Sequence, residues 1–190
     1  MVQEDGSIRG VGTEPGERDR WLRMDDSELL RECREERYRA SGPGGQRRNK
    51  VETAVRLRHE PSGVTVQAEE SRSLEENRRR AVRRLRERIA IQVRQRLDRD
   101  TPALAPEFRA QVGAEGRLSV NSRNPAYAFV VATALDALAA AYGNYATAAR
   151  TLGLTTSQYR RFLESDREVW RAINESLTAG QDSRPRRDRG

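Results

Sequence analysis

The chain has 190 residues, enough for one domain or two small ones, and its formal net charge of +7 rests on 36 basic residues, all arginine except Lys50. So large a basic excess favours a polyanionic partner, with nucleic acid ahead of a membrane surface. One cysteine, Cys33, and one histidine, His59, are too few for an internal disulfide, a His/Cys metal site or a histidine-based triad, and no apolar run approaches the ~18 residues of a membrane span. A lone thiol and no signal-peptide core suit a reducing cytoplasm.

Residues 1–20 are rich in Gly, Glu, Asp and Arg with little apolar content, and are expected to form a disordered tail, with order beginning near Trp21. Asp25-Asp26-Ser27-Glu28 has the pattern of a helix start, and a short helix through about Cys33 passes into an extended segment, Glu35 to Ala40. That segment leads into Ser41-Gly42-Pro43-Gly44-Gly45-Gln46-Arg47-Arg48-Asn49-Lys50. Two adjacent glycines open backbone regions closed to other residues and Pro43 fixes one φ, so the stretch suits a shaped loop tip nearly bare of side chains. Gln46 then offers one amide side chain and one backbone N–H, with positive charge directly behind it. The triplet alone is suggestive only, since an ordinary Gly-Gly tight turn would also produce it.

Residues 51–59 alternate, with Val51, Thr53, Val55 and Leu57 on one side and Glu52, Arg56 and Arg58 among the others, as in a half-buried strand. Pro61-Ser62-Gly63 makes a hairpin turn and Val64 to Ala68 the returning strand. His59 reads as a strand-end residue. Ser73 and Glu76 have capping-box spacing, after which Ala81, Val82, Leu85, Ile89, Val93 and Leu97 share one face of a long helix. The other face carries Arg78, Arg79, Arg80, Arg83, Arg84, Arg86 and Arg88, either a solvated face or a set of phosphate contacts. The scarcity of acids nearby favours phosphate contacts.

Residues 100–124, with Pro102, Pro106, Gly113 and Gly116, are expected to be a linker. Asn124-Pro125 opens a buried helix running to Tyr142, with Asn as cap and Pro at the first helical position. A second helix spans about Tyr145 to Leu152, and Thr155 with Gln158 caps a third. Ala149, Gly153 and Tyr159 approximate helix-turn-helix spacing, which leaves open both nucleic-acid docking and a purely structural bundle. A short basic tail, Arg184 to Gly190, ends the chain. The expected fold class is therefore α+β: a small sheet packed on a long helix with a protruding Gly-Gly-Gln (GGQ) loop, followed by a small all-α unit. The expected boundaries are 1–20 tail, 21–99 first domain, 100–124 linker, 125–178 helical unit and 179–190 basic tail.

From about residue 34 to residue 97 the order of loop, Asn49-Lys50, strand, Pro61-Ser62-Gly63 hairpin, Arg72-Ser73 and a helix with Asn77 resembles the catalytic domain of class I peptide-chain release factors. The resemblance implies ribosome-dependent hydrolysis of the ester joining a nascent peptide to its tRNA. It gives Gly44, Gly45 and Gln46 the catalytic role, with the Gln46 N–H stabilising negative charge on the attacked oxygen and its side chain ordering the water. It implies no cofactor, no metal and no acid or base from the protein. The partners implied are large-subunit rRNA at the peptidyl-transferase centre and peptidyl-tRNA, met by a monomer, with no membrane. Arg47, Arg48, Asn49, Lys50, Arg72, Ser73, Asn77, Arg78, Arg79 and Arg83 are the candidate RNA contacts.

The sequence also departs from that family. Decoding members carry a stop-codon-reading domain longer than the stretch available before this loop, so the resemblance is closest to codon-independent members: bacterial ribosome-rescue peptidyl-tRNA hydrolases and the short mitochondrial rescue release factor. Arg47-Arg48 stands where His-Val is common, and Tyr159 where a helix-turn-helix favours valine or isoleucine. The alternatives are a non-catalytic ribosome-binding or assembly factor and a helix-turn-helix DNA regulator.

Overall fold

The computed structural model describes residues 16–39 and 52–182, with side chains through residue 176. These residues fall into two compact units, one within Thr13–Val93 and the other carrying Arg94–Gly190.

The first unit runs α1 (Glu17–Arg23), α2 (Asp26–Arg31), β1 (Cys33–Tyr38), β2 (Ala54–His59), β3 (Thr65–Ala68) and α3 (Leu74–Gln92). The three strands form an antiparallel sheet in the order β1-β2-β3. Alternation in β2 turns Val55, Leu57 and His59 inward and leaves Arg56 and Arg58 exposed. The β2–β3 turn closes through Gly63 at φ +69°, whose N–H donates to the His59 carbonyl at 2.8 Å. Helix α3 lays Ala81, Val82, Leu85 and Ile89, all buried, across β2 and β3. The expected α+β class is thus the observed one: a sheet covered by one long helix, with α1 on α3, and α2 on both β1 and α3.

The caps explain where these helices start. At α2, Asp25 Oδ1 accepts from the Glu28 N–H at 2.9 Å and Glu28 Oε2 accepts from the Asp25 N–H at 3.0 Å, a complete capping box. At α3 only half the expected box forms: Ser73 Oγ accepts from the Glu76 N–H, while the Glu76 carboxylate takes the Ser71 hydroxyl and Arg80 instead.

Two expectations for this unit need correction. Residues 17–20, read as part of a disordered tail, form the first turn of α1. Arg18 is only 2% exposed there, its guanidinium donating to Asp19 and to the Val93 carbonyl. Residues 1–15 lie outside the described residues. Helix α3 stops at Gln92, and Val93 takes extended backbone at φ −93°, ψ 114°, so Leu97 is not on its apolar face. The compact unit accordingly ends at Val93, ahead of the expected boundary at residue 99.

The second unit contains α4 (Pro106–Arg109), a 3₁₀ turn (Ala114–Gly116), α5 (Tyr127–Ala140), α6 (Tyr145–Thr151), α7 (Thr156–Ser165) and α8 (Arg167–Asp182). The stretch read as a linker is built into it. Phe108 is fully buried, and a β-bridge joins Val112 to Leu118. Helix α5 is buried almost all round from Tyr127 to Leu138, the mark of a central helix. It begins later than the Asn-Pro signal suggested: Asn124 Oδ1 accepts from the Ala126 N–H in a turn ahead of Tyr127. Helices α6 and α7 have the expected helix-turn-helix parts, with Ala149 buried, Gly153 at φ +68°, and Tyr159 buried with its hydroxyl donating to the Ala134 carbonyl at 2.8 Å. Helix α8 was not foreseen. The basic tail from Arg184 lies outside the described residues.

Candidate functional site

The Gly44-Gly45-Gln46 triplet, with Arg47, Arg48, Asn49 and Lys50, falls in residues 40–51, outside the described residues. The structure does define its mounting. Antiparallel register pairs Tyr38 at the end of β1 with Ala54 at the start of β2, so the loop leaves and re-enters the sheet at neighbouring positions. Beyond that pair, Arg39 and Glu52 face each other with Nε to Oε1 at 3.6 Å, an exposed ion pair of small worth.

The return side of the loop is fastened by Asn77. This side chain is fully buried in the first turns of α3; its Nδ2 donates to the Thr53 carbonyl at 2.7 Å and the Ser71 carbonyl at 2.9 Å, and its Oδ1 accepts from the Ser71 N–H at 2.9 Å. One amide thus ties the start of β2, the turn before α3 and α3 itself. The departure side is fastened by Arg78, whose fork grips Glu35 of β1 with Nε to Oε2 at 2.9 Å and a terminal nitrogen to Oε1 at 2.7 Å. The Arg78 guanidinium holds the Glu35 carboxyl below its ordinary range, against the opposing effect of partial burial. Tyr38 donates its hydroxyl to Glu69 at 3.2 Å, and Arg56 lies over its ring.

The sequence reading placed seven arginines of α3 on one free cationic face. The structure divides them. Arg78 holds Glu35, Arg80 holds Glu76, Arg84 holds Glu70 and the Gln67 carbonyl, and Arg86 holds Asp26 and the Met24 carbonyl. Glu35 of β1, Glu70 of the β3–α3 connection and Asp26 of α2 lie outside the helix, where its sequence does not reveal them, whereas Glu76 sits on α3 itself, four residues before Arg80. Arg72, Arg79 and Arg83 are exposed and make no hydrogen bond or ion pair with a described residue. Among the candidate RNA contacts in the described residues, Ser73 serves as helix cap, Asn77 as buried clasp and Arg78 as strut, while Arg72, Arg79 and Arg83 remain turned to solvent. Glu35 was missed, although its signal was present: it occupies an inward-alternating position of β1 opposite Leu57, where a carboxylate needs a cationic partner.

In the second unit, the Gln158 side-chain oxygen accepts from the Leu118 N–H at 3.0 Å rather than completing a capping box with Thr155. A Cβ on Gly116 would lie 2.5 Å from the Gly153 carbonyl oxygen. The 112–118 segment therefore covers the α6–α7 turn and occupies the first turn of α7. Arg160 is engaged with Glu164 and Tyr145.

The first unit is thus a small sheet backed by one long helix, with the glycine-containing segment 40–51 joining its first two strands in sequence. A profile of the RF-1 domain family matches residues 26–127, more than half of the chain, and the chain belongs to that family. It is 45% identical over 80 residues to peptide chain release factor 1 of Granulibacter bethesdensis, across 42% of this chain and 22% of that protein. Over 52 residues it is 54% identical to peptide chain release factor 1 of Chloroherpeton thalassium, across 27% and 14% of the two chains. Peptide chain release factor 2 of Pseudarthrobacter chlorophenolicus is 38% identical over 86 residues, 45% of this chain and 23% of its own. The matches thus span less than a quarter of these relatives' length. The family match ends at Tyr127, the first residue of α5, so the rest of α5 and α6 to α8 lie beyond it. No helix among the described residues is long and apolar enough to cross a membrane.

Proposed function

We propose that this chain hydrolyses the peptidyl-tRNA ester on the ribosome, with Gly44-Gly45-Gln46 as the reacting tip, and that it does so without reading a stop codon. The observation carrying this reading is the position of the triplet between two strands in antiparallel register, clasped on both sides from α3, within a domain of the release-factor family. Water attacks the ester carbonyl, and negative charge develops on oxygen. A backbone N–H at Gln46 aimed at that oxygen lowers the barrier by roughly 3 to 4 kcal/mol, the usual worth of one preorganised donor. The Gln46 side chain orders the water, and Gly44 and Gly45 give the backbone its shape and keep the tip narrow. Arg47, Arg48, Asn49 and Lys50 steady the loop against rRNA, and Arg72, Arg79 and Arg83 contact phosphates beside it. Ser73, Asn77 and Arg78 act indirectly by holding the platform.

Codon independence is the part of this reading that the release assay decides; the described helices ahead of β1, α1 and α2, pack on α3 and β1 within the first unit. The test is release of labelled peptide from ribosomes programmed with truncated message, from split large subunits carrying peptidyl-tRNA, and from ribosomes stopped at a stop codon. Release is expected on the first or second substrate without any stop codon, and to be lost in Gln46→Ala and Gly45→Ala. Release that required a stop codon would overturn the rescue reading. Tight ribosome binding with no release by the unaltered chain would make it a binding factor.

A further inference from the structure

The corner between α5 and α6 presents an exposed aromatic ring in a backbone position that disfavours one. Tyr142 is 89% exposed and is the exposed large hydrophobic side chain among the described residues. Helix α5 ends there in a Schellman turn: the Gly143 N–H donates to the Leu138 carbonyl at 2.9 Å and the Tyr142 N–H to the Ala139 carbonyl at 3.0 Å. In that motif the residue after the cap takes left-handed backbone, and glycine is the usual occupant. Here tyrosine takes it, at φ +51°, followed by Gly143 at φ +79°. A Cβ is sterically penalised in that region, and the exposed ring gains little burial in return. Strain held at an exposed position points to a task for the side chain.

The neighbouring groups indicate the task. Arg99 lies over the ring with its guanidinium carbon 5.7 Å from the centroid, and its backbone carbonyl accepts from the Thr151 hydroxyl at 3.5 Å. A guanidinium stacked on a ring keeps its N–H edge free for phosphate oxygens, and the ring's second face stays open. Asp98, one residue away, turns its carboxylate onto the N–H groups of Asp100 and Thr101 at 2.8 and 3.1 Å, so its acceptors are engaged by its own turn. Arg150, exposed on α6 beside Thr151, adds a second cation to this end of the unit.

We propose that Tyr142 and Arg99 form a stacking platform for an unpaired RNA nucleotide, the base resting on the open face of Tyr142 and the adjoining phosphate held by Arg99. The choice of RNA rests on the ribosomal role proposed above; the stack itself rests on the α5–α6 corner. It would give α5 to α8, which but for Tyr127 lie beyond the family match, an RNA contact separate from the Gly-Gly-Gln loop.

The test measures binding of the full-length chain to a fluorescein-labelled single-stranded oligoadenylate by fluorescence anisotropy, alongside an abasic oligoribonucleotide of equal length. Tyr142→Gly is expected to weaken oligoadenylate binding by roughly 5- to 150-fold, the range for loss of one stacked base, and to leave abasic binding unchanged. Its melting temperature is expected to equal or exceed that of the unaltered chain, because glycine relieves the strained turn. Tyr142→Phe keeps the ring and should keep the affinity. Equal binding of both oligonucleotides by Tyr142→Gly and the unaltered chain would overturn the proposal. So would a lowered melting temperature in Tyr142→Gly, which would assign the ring to packing, or an equal loss of affinity for duplex DNA, where no base is unpaired. The assay contains no ribosomes and Gln46 does not enter it, so failure here leaves the peptide-release reading intact.

Discussion

His59 shows how a residue that looks idle in sequence becomes a structural centre. It closes β2 with its ring fully buried, edge-on to Trp21 at 4.7 Å between centroids. The Ser62 N–H donates to Nδ1 and the Ser62 hydroxyl sits 2.7 Å from it, so Nδ1 is the acceptor and Nε2 carries the proton toward Glu32 Oε2 at 3.3 Å. Burial pushes the imidazole below its ordinary value. Glu32 pulls the other way, but it is itself engaged by Arg20 at 3.1 Å and meets only one ring nitrogen, so burial prevails. The folded ring therefore stays neutral where the unfolded ring begins to take a proton. Stability contributed by His59 is present above the unfolded value of about 6.5 and declines as pH falls through it. Thermal melts at pH 7.5 and 5.5 should show this loss, and the loss should shrink in His59→Gln. A melting temperature independent of pH between these values would refute the assignment.

At the scale of elements, the sequence was most legible where local chemistry decides the outcome. Val55, Leu57 and the Pro61-Ser62-Gly63 turn determine β2 and its hairpin through alternation and a left-handed glycine, and Ser73 starts α3. It was less legible where distant groups decide. Val93 and Leu97 continue the apolar spacing of α3, yet the helix ends at Gln92, after which Asp136 takes the Arg94 side chain at 3.0 Å and the Gln95 N–H at 3.1 Å. No pattern within the helix announces that capture. Helix α8 did have a local signal: Asp166 accepts from the Glu168 and Val169 N–H groups, and Val169 and Ile173 are buried one turn apart. As for the candidate site, the motif order was readable, but the division of α3's arginines into struts and free cations was not, because the hydrogen-bond partners of Arg78, Arg84 and Arg86 lie 14 to 62 residues away in sequence. The Glu35–Arg78 bridge between β1 and α3 follows from that division. A double-mutant cycle with Glu35→Gln and Arg78→Gln should give a coupling of about 1 kcal/mol, since both side chains are partly exposed and solvent screens the pair. Arg78→Lys should lose much of that coupling, because an ammonium cannot reproduce the two-pronged grip.

For the whole molecule, charge is spread over two compact units, and much of it is neutralised internally. In the proposed association with ribosomal large subunits, raising salt should therefore weaken binding less steeply than 36 cations suggest. Replacing Arg79 or Arg83 with Gln should flatten the plot of log affinity against log salt concentration by about 0.7 to 0.9 per residue, whereas Arg78→Gln should leave the slope nearly unchanged. Equal flattening by all three would mean that Arg78 also contacts phosphate. The placement of the motif between β1 and β2 also bears on how the protein comes to be folded. The β2–β3 turn joins strands only a few residues apart, and α3 follows directly, so these three elements can assemble at low loop-closure cost. Strand β1 must wait for the whole glycine-rich excursion to close, at higher entropic cost. A β2–β3 sheet formed before β1 docks would leave β2 as an edge with a row of unpaired backbone groups open to other strands. The length of chain inserted between β1 and β2 thus bears on the order in which the sheet can assemble and on how long an open edge is exposed.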